Sequence, residues 1–170
     1  MSGRDFDGFT VVVTGASTGL GRAMAVETAR RGAGLVVVNF ARSAQEAEET
    51  AGLVEAEGAK AVLVQGDVAQ DTDCRRIAET AAGSGRIDAL FNNAGITKFA
   101  PDHADLDAVD AEDFLRLYAV NVVGAFQMVR AAPAACWKPR RSRAPWSTPP
   151  RSPGWWVTVH RCPTPRPRAP

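Results

Sequence analysis

The octapeptide TGASTGLG, Thr14 to Gly21, restricts the fold more than any other feature because of what flanks it. Before it runs FTVVVT, a continuous β-branched stretch that suits a strand buried on both faces. After it, RAMAVETARRG gives a helix of about three turns, closed by Gly32. A glycine turn between a buried strand and a helix start offers backbone N–H groups and a partial positive charge to an anion. In that context Gly15 allows the tight turn and Gly19 lets backbone approach a pyrophosphate. Gly21 lets the helix pack closely on the sheet. Ser17, Thr18 and Leu20 complete the candidate phosphate loop. The plainer alternative is an ordinary βα turn that contains glycines.

The same alternation continues downstream. GLVVVNF reads as a second buried strand, and SAQEAEETAGLVEAEG as a helix with Ser43 at its N-cap and Gly58 at its C-cap. KAVLVQGD is a third strand, DTDCRRIAETAAGSG a third helix and RIDALFNNAG a fourth strand. A polar loop with Pro101 leads to a long helix, AEDFLRLYAVNVVGAFQMVRAA. The order βαβαβαβα predicts a parallel sheet with right-handed crossovers and helices on both faces. The pattern is regular to about Pro133 and then fails, which predicts one domain over 1–133 and a disordered tail over 134–170.

Charge divides the chain at the same place. Residues 1–136 carry 12 Lys/Arg and 19 Asp/Glu, whereas residues 137–170 carry 8 Lys/Arg and no acid. All four tryptophans and 9 of the 11 prolines also fall in the tail. The overall charge of +1 therefore says little about partners. Cys74, Cys136 and Cys162 form no metal or disulfide pattern, so a reduced, cytoplasmic compartment is expected and no metal. The N-terminus MSGRDFDGF lacks an apolar signal core, and no run approaches the roughly 18 apolar residues of a membrane span.

Four motifs then occur in one order: TGxxxGxG at 14–21, GDV at 66–68, NNAG at 92–95 and NVVG at 121–124. Together they resemble the short-chain dehydrogenase/reductase family over residues 8 to about 133, and within it the 3-oxoacyl-acyl-carrier-protein reductases and related alcohol dehydrogenases. The resemblance implies a Rossmann-like doubly wound sheet, here four strands in the order 3-2-1-4. It implies that Asp67 and Val68 lie against an adenine ring. Asn93, Ala94 and Gly95 would shape the sheet edge and contact cofactor ribose. Asn121 would help hold a water and a lysine in a proton relay. The bland alternatives are that Asp67 caps the next turn, that Asn93 belongs to an Asn-rich turn and that Asn121 faces solvent.

Cofactor choice is read after the second strand, where NAD binders usually carry an acid for the ribose hydroxyls. VVVNFARS has instead a neutral Asn39, followed by Arg42 and Ser43, which suit a 2′-phosphate. NADP is expected in preference to NAD, with Arg42 as a solvated surface charge the alternative. Thr18 stands where the family's NADP users often have a basic residue.

The family's chemistry also needs a serine, a tyrosine some thirteen residues on and a lysine four residues after that. These tune an acid/base beside a donor to the substrate oxygen, acting on a carbonyl/alcohol pair. The one tyrosine, Tyr118, precedes Asn121 and is followed four residues later by Val122, so it cannot fill that role. Asn121 is the surviving member of the set, and the chain as written is expected to be inactive. The helix at 111–131, often part of the family's dimer interface, would lack its partner helix. The fourth strand would lack a neighbour, leaving an aggregation-prone edge.

The tail admits three readings: a basic arm for nucleic acid or an acidic surface, a proline-rich peptide ligand, or translation in a shifted frame. The first is the non-catalytic alternative for the whole chain; specific nucleic-acid recognition is not expected. The genetic code tests the third. Taking the last base of each codon with the first two of the next, Trp137–Lys138 must yield Glu, Trp155–Trp156 Val and Trp156–Val157 Gly. With permitted bases, 146–170 reads VVNASSVAGLVGDGSSVPYAASKGA. Serine then falls at Arg151, tyrosine at Thr164 and lysine at Arg168, the 13 and 4 spacing of the family.

Overall fold

The computed structural model describes residues 5–102 and 104–136, the last four as backbone only. Residues 137–170, including Arg151, Thr164 and Arg168, lie outside the described residues, so the disorder expected there and the alternative readings of the tail do too.

Four parallel strands form one sheet in the order β3-β2-β1-β4, with β1 Thr10–Val13, β2 Leu35–Phe40, β3 Lys60–Gln65 and β4 Ala89–Phe91. Helices α1 Gly19–Arg30, α2 Ala44–Ala56 and α3 Asp71–Ala82 make the crossovers. This is the order that the family resemblance implies, and the parallel sheet is the one expected from the alternation.

Successive side chains on a strand point to opposite faces, and the valine runs use both. Val11, Val13, Val36 and Val38 pack beneath Ala25 and Ala29 of α1 and Ala47 and Val54 of α2. Val12 and Val37 pack on the other face against Cys74, Ile77 and Ala81 of α3 and Met128 and Ala131. A strand covered on both sides has no solvent-facing side, which is why β1 and β2 show no apolar/polar alternation. β3 differs: it is an edge strand, and Lys60, Leu63 and Gln65 are exposed. At three residues, β4 forms the other edge among the described residues.

Thr10 and Asp88 tie β1 to the start of β4 beneath the sheet. The Thr10 amide donates to the buried Asp88 carboxylate at 2.9 Å, and Arg86 Nε donates to the same oxygen at 2.6 Å. The carboxylate is buried but paired twice, the usual condition for an acid inside.

The expected helix over 111–132 is present but not uniform. α4 Ala111–Tyr118 passes into a π-helical segment, Ala119–Gly124, and then into α5 Ala125–Cys136. The backbone therefore stays helical slightly beyond the 133 boundary expected from sequence. Asp110 and Asp113 start α4 with a reciprocal capping box. The widened turn has local causes. Asn121 is fastened outward to Ile96, while Gly124 is pressed onto Val68, where an added Cβ would meet Val68 Cγ2 at 2.7 Å. One face of this helix is uncovered: Phe114, Leu115, Tyr118 and Phe126 are all exposed.

Candidate functional site

The glycine turn sits at the carboxyl end of β1, between the exits of its two neighbours. Gly15 has φ +61°, and an added Cβ there would lie 2.8 Å from Ala94 Cα. At Gly21 a Cβ would lie 2.2 Å from the Gly15 carbonyl oxygen and 2.6 Å from Asn93 Nδ2. These two glycines let the turn, α1 and the exit of β4 touch. Gly19 differs, with φ +54° and open space where its Cβ would be. Its amide edge is therefore free to approach a ligand.

Asn93 and Thr14 lock the turn to β4. Asn93 Nδ2 donates to the carbonyls of Thr14 (3.1 Å) and Gly15 (2.9 Å). The Thr14 hydroxyl accepts from the amides of Asn93 and Ala94, both at 3.0 Å, and donates to Phe91 O at 3.3 Å. Asn92 donates instead to Ala125 O, joining β4 to α5.

On the other side the Ser17 carbonyl is drawn inward. Arg22 Nε and Nη2 donate to it at 3.1 and 2.8 Å, and the Thr50 hydroxyl at 3.0 Å. Arg22 also reaches Glu46 O and Glu49 Oε2 on α2. With the carbonyls held behind, the N–H groups at the start of α1 face outward. Thr18 occupies the N-cap position without a side-chain cap bond, and Thr18, Gly19 and Leu20 are exposed. The first-turn amides therefore keep their donors for an external acceptor. Sequence reasoning missed Thr14's hydroxyl, Arg22 and Thr50. A signal existed for Arg22: a cation in the first turn opposes the helix dipole and calls for a reason.

Asp67 and Val68 follow β3. The Asp67 carboxylate accepts from the Ala69 amide at 3.0 Å, so it caps its own turn, the alternative weighed from sequence. Its backbone amide donates to Asp73 Oδ2 at 2.8 Å, which, after Arg76, helps hold the Asp73 carboxyl below its ordinary value. Val68 is buried, and its carbonyl accepts from Gln127 Nε2 at 3.1 Å and Cys74 Sγ at 3.2 Å. Burial, followed by the charges of Asp71, Asp73 and Asp67, raises the Cys74 thiol to about 11, so it is an inert core group.

Asn121 is brought to the exit of β4. Its Oδ1 accepts from Ile96 N at 2.8 Å and its Nδ2 donates to Ile96 O at 2.9 Å, beside Gly95. It is exposed, not buried, so solvent rather than the core surrounds the pair. Lys98 and Asp113, 2.9 Å apart, fasten the following loop to α4, and the Lys98 hydrogen bond lowers the Asp113 carboxyl.

The residues at and just beyond the end of β2 differ in exposure. Arg42 is exposed and makes no ion pair among the described residues. Ser43 holds the N-cap position of α2, but its φ/ψ of −83°/73° leaves the hydroxyl without the expected capping bond. Asn39, expected near ribose, is 1% exposed and turned into the protein. Gly15, Gly19, the α1 start, Asn93 to Gly95 and Asn121 thus gather along the carboxyl edge of β1 and β4. The strand order changes direction there, the usual ligand crevice of an open α/β sheet.

Known proteins are similar to this chain in sequence and fold. L-rhamnose 1-dehydrogenase (NAD(P)(+)) of a Sphingomonas species is 42% identical over 128 residues, covering 74% of this chain and 48% of its own. Versicolorin reductase 1 of Aspergillus parasiticus is 39% identical over 127 residues, covering 74% and 47%. A short chain dehydrogenase from Burkholderia cenocepacia, solved in complex with NADP, superposes with a TM-score of 0.68 at 32% identity, covering 76% and 51%. The chain spans about half the length of the relatives it matches. The model of the short chain dehydrogenase family matches residues 9–143, and on that match the chain belongs to the short chain dehydrogenase family.

Proposed function

We propose that the described residues are the dinucleotide-binding half of an NAD(P)-dependent oxidoreductase that works on a carbonyl/alcohol pair. The observation that carries this is the open start of α1. Its exposed amides and the unfilled space at Gly19 lie over a turn whose carbonyls Asn93, Arg22 and Thr50 hold behind it. Pyrophosphate would lie on those amides, and Asn93 to Gly95 would meet the nicotinamide ribose. A bound nicotinamide dinucleotide supplies or accepts the hydride. Arg42, with the uncapped Ser43 hydroxyl and the start of α2, favours NADP over NAD by accepting a 2′-phosphate. The NADP complex of the Burkholderia relative supports that cofactor class. Asn121 holds the backbone at Ile96 and so sets the floor on which substrate and nicotinamide would meet.

Tyr118 lies on α4, exposed, ahead of Asn121, and no tyrosine–lysine pair at the family spacing occurs in the 170 residues. Protonation of the substrate oxygen therefore lacks its donor, and turnover is not expected. A single-base change of frame near codons 133–136 accounts for this, and the gene's nucleotide sequence there tests it directly. Relatives working as homo-oligomers in the cytoplasm would cover the exposed Phe114, Leu115 and Phe126.

Binding and turnover separate the two parts. The full chain should bind NADP by titration calorimetry and show no carbonyl-dependent NADPH oxidation. Absence of binding refutes the cofactor reading, and measurable oxidation refutes the second part.

A further inference from the structure

We infer that Asn39 is a positioning residue of the cofactor site, a buried tie that sets the glycine turn, and that it takes no direct part in discriminating NADP from NAD. The inference rests on the dinucleotide reading above.

Asn39 is 1% exposed and spends its amide on three backbone groups. Oδ1 accepts from the Gly15 amide at 3.3 Å. Nδ2 donates to Val64 O at 3.1 Å and Gly66 O at 3.0 Å. Its own carbonyl accepts from Ala16 N at 2.8 Å. One residue thus joins the end of β2, the exit of β3 and both residues that open the glycine turn. The amide's polarity is fixed by its surroundings. Reversed, it would aim a donor at the Gly15 N–H and an acceptor at two carbonyls.

An ionised carboxylate at this position has no donor for Val64 O and Gly66 O. It would face both oxygens at about 3 Å, with little water to screen it. An acid at position 39, one way of favouring NAD, therefore conflicts with this site. Discrimination falls to groups that reach solvent next to it, Arg42 and Ser43.

Three measurements on the full chain test the inference. In NMR, the Asn39 Nδ2 protons and the Gly15 amide should exchange slowly without cofactor. Asn39→Ala should speed Gly15 exchange about tenfold, the effect of one lost hydrogen bond. Rapid Nδ2 exchange in the wild-type chain overturns the tie whether or not cofactor binds, so this arm stands if the cofactor reading fails. On saturation with NADP or NAD, the Asn39 side-chain resonances should be the same, and those of Arg42 should differ. This needs no variant to fold. Finally, Asn39→Asp should weaken both cofactors by similar factors and leave their ratio within about twofold. A tenfold shift toward NAD, or Asn39 resonances that distinguish the cofactors, shows that its side chain faces ribose and overturns the inference.

Discussion

Replacing Gly21 with Ala tests the packing of the site in a case where helix propensity and steric contact point in opposite directions. Gly21 is the third residue of α1, and alanine in a helix is favoured over glycine by about 1 kcal/mol. Against this, the added Cβ would sit 2.2 Å from the Gly15 carbonyl oxygen, 2.6 Å from Asn93 Nδ2 and 2.9 Å from Ala16 Cα. Two of these are backbone atoms, and the third is an amide held by two carbonyls. Overpacking of this kind costs about 1–3 kcal/mol. Displacing Asn93 adds about 1 kcal/mol for each bond lost. The net expectation is a destabilisation of about 2–4 kcal/mol. Gly52→Ala is the control. Gly52 lies inside α2 with nothing within 4 Å of its would-be Cβ, so it should gain about 0.5–1 kcal/mol. Urea denaturation followed by circular dichroism reads both as shifts in midpoint at constant slope. If Gly21→Ala is as stable as the wild-type chain while Gly52→Ala behaves as expected, the close contact between α1, the turn and Asn93 is wrong.

Asp88→Ala should destabilise by about 1–3 kcal/mol, because it strands the buried Thr10 amide; the same denaturation experiment measures it. In a Cys136→Ser/Cys162→Ser background, Cys74 should react with a thiol reagent no faster than the domain opens, since burial raises its thiol to about 11. Rapid reaction at pH 8 would contradict its burial. Asp73, lowered first by Arg76 and then by the Asp67 amide, binds its proton less readily folded than unfolded. Its stabilising contribution is present above about pH 4 and lost as pH falls through the folded value, so Asp73→Asn should flatten the fall in melting temperature below about pH 4. An unchanged acid profile would show that Arg76 and the Asp67 amide do not stabilise the ionised Asp73 carboxylate.

The fold was legible because its strongest signal is local. Val11 to Val13 and Val36 to Val38 are continuous apolar runs, and such runs between helices leave few arrangements other than a covered parallel sheet. The glycine turn was legible for the same reason, since strand, turn and helix adjoin in sequence. What was not legible depends on partners far away in the chain. Asn39 looks like a solvent-facing specificity residue until Val64 and Gly66 are brought beside it. Arg22 looks like a surface cation until α2 supplies Glu46 and Thr50. The π-helical segment could not be read from a periodic apolar pattern, because it arises where Gly124 meets Val68 and Asn121 meets Ile96. Asp67 fits both a turn cap and a ligand contact by residue type, and only its bond to Ala69 shows what its carboxylate does.

If residues up to the end of α5 hold a nicotinamide dinucleotide at the start of α1 and Arg42 favours the phosphorylated form, titration calorimetry of the full chain should show NADP binding about tenfold more tightly than NAD. On Arg42→Ala most of that difference should disappear while NAD affinity stays unchanged. Equal affinities in the wild-type chain, or a preference that survives Arg42→Ala, would refute the cofactor reading.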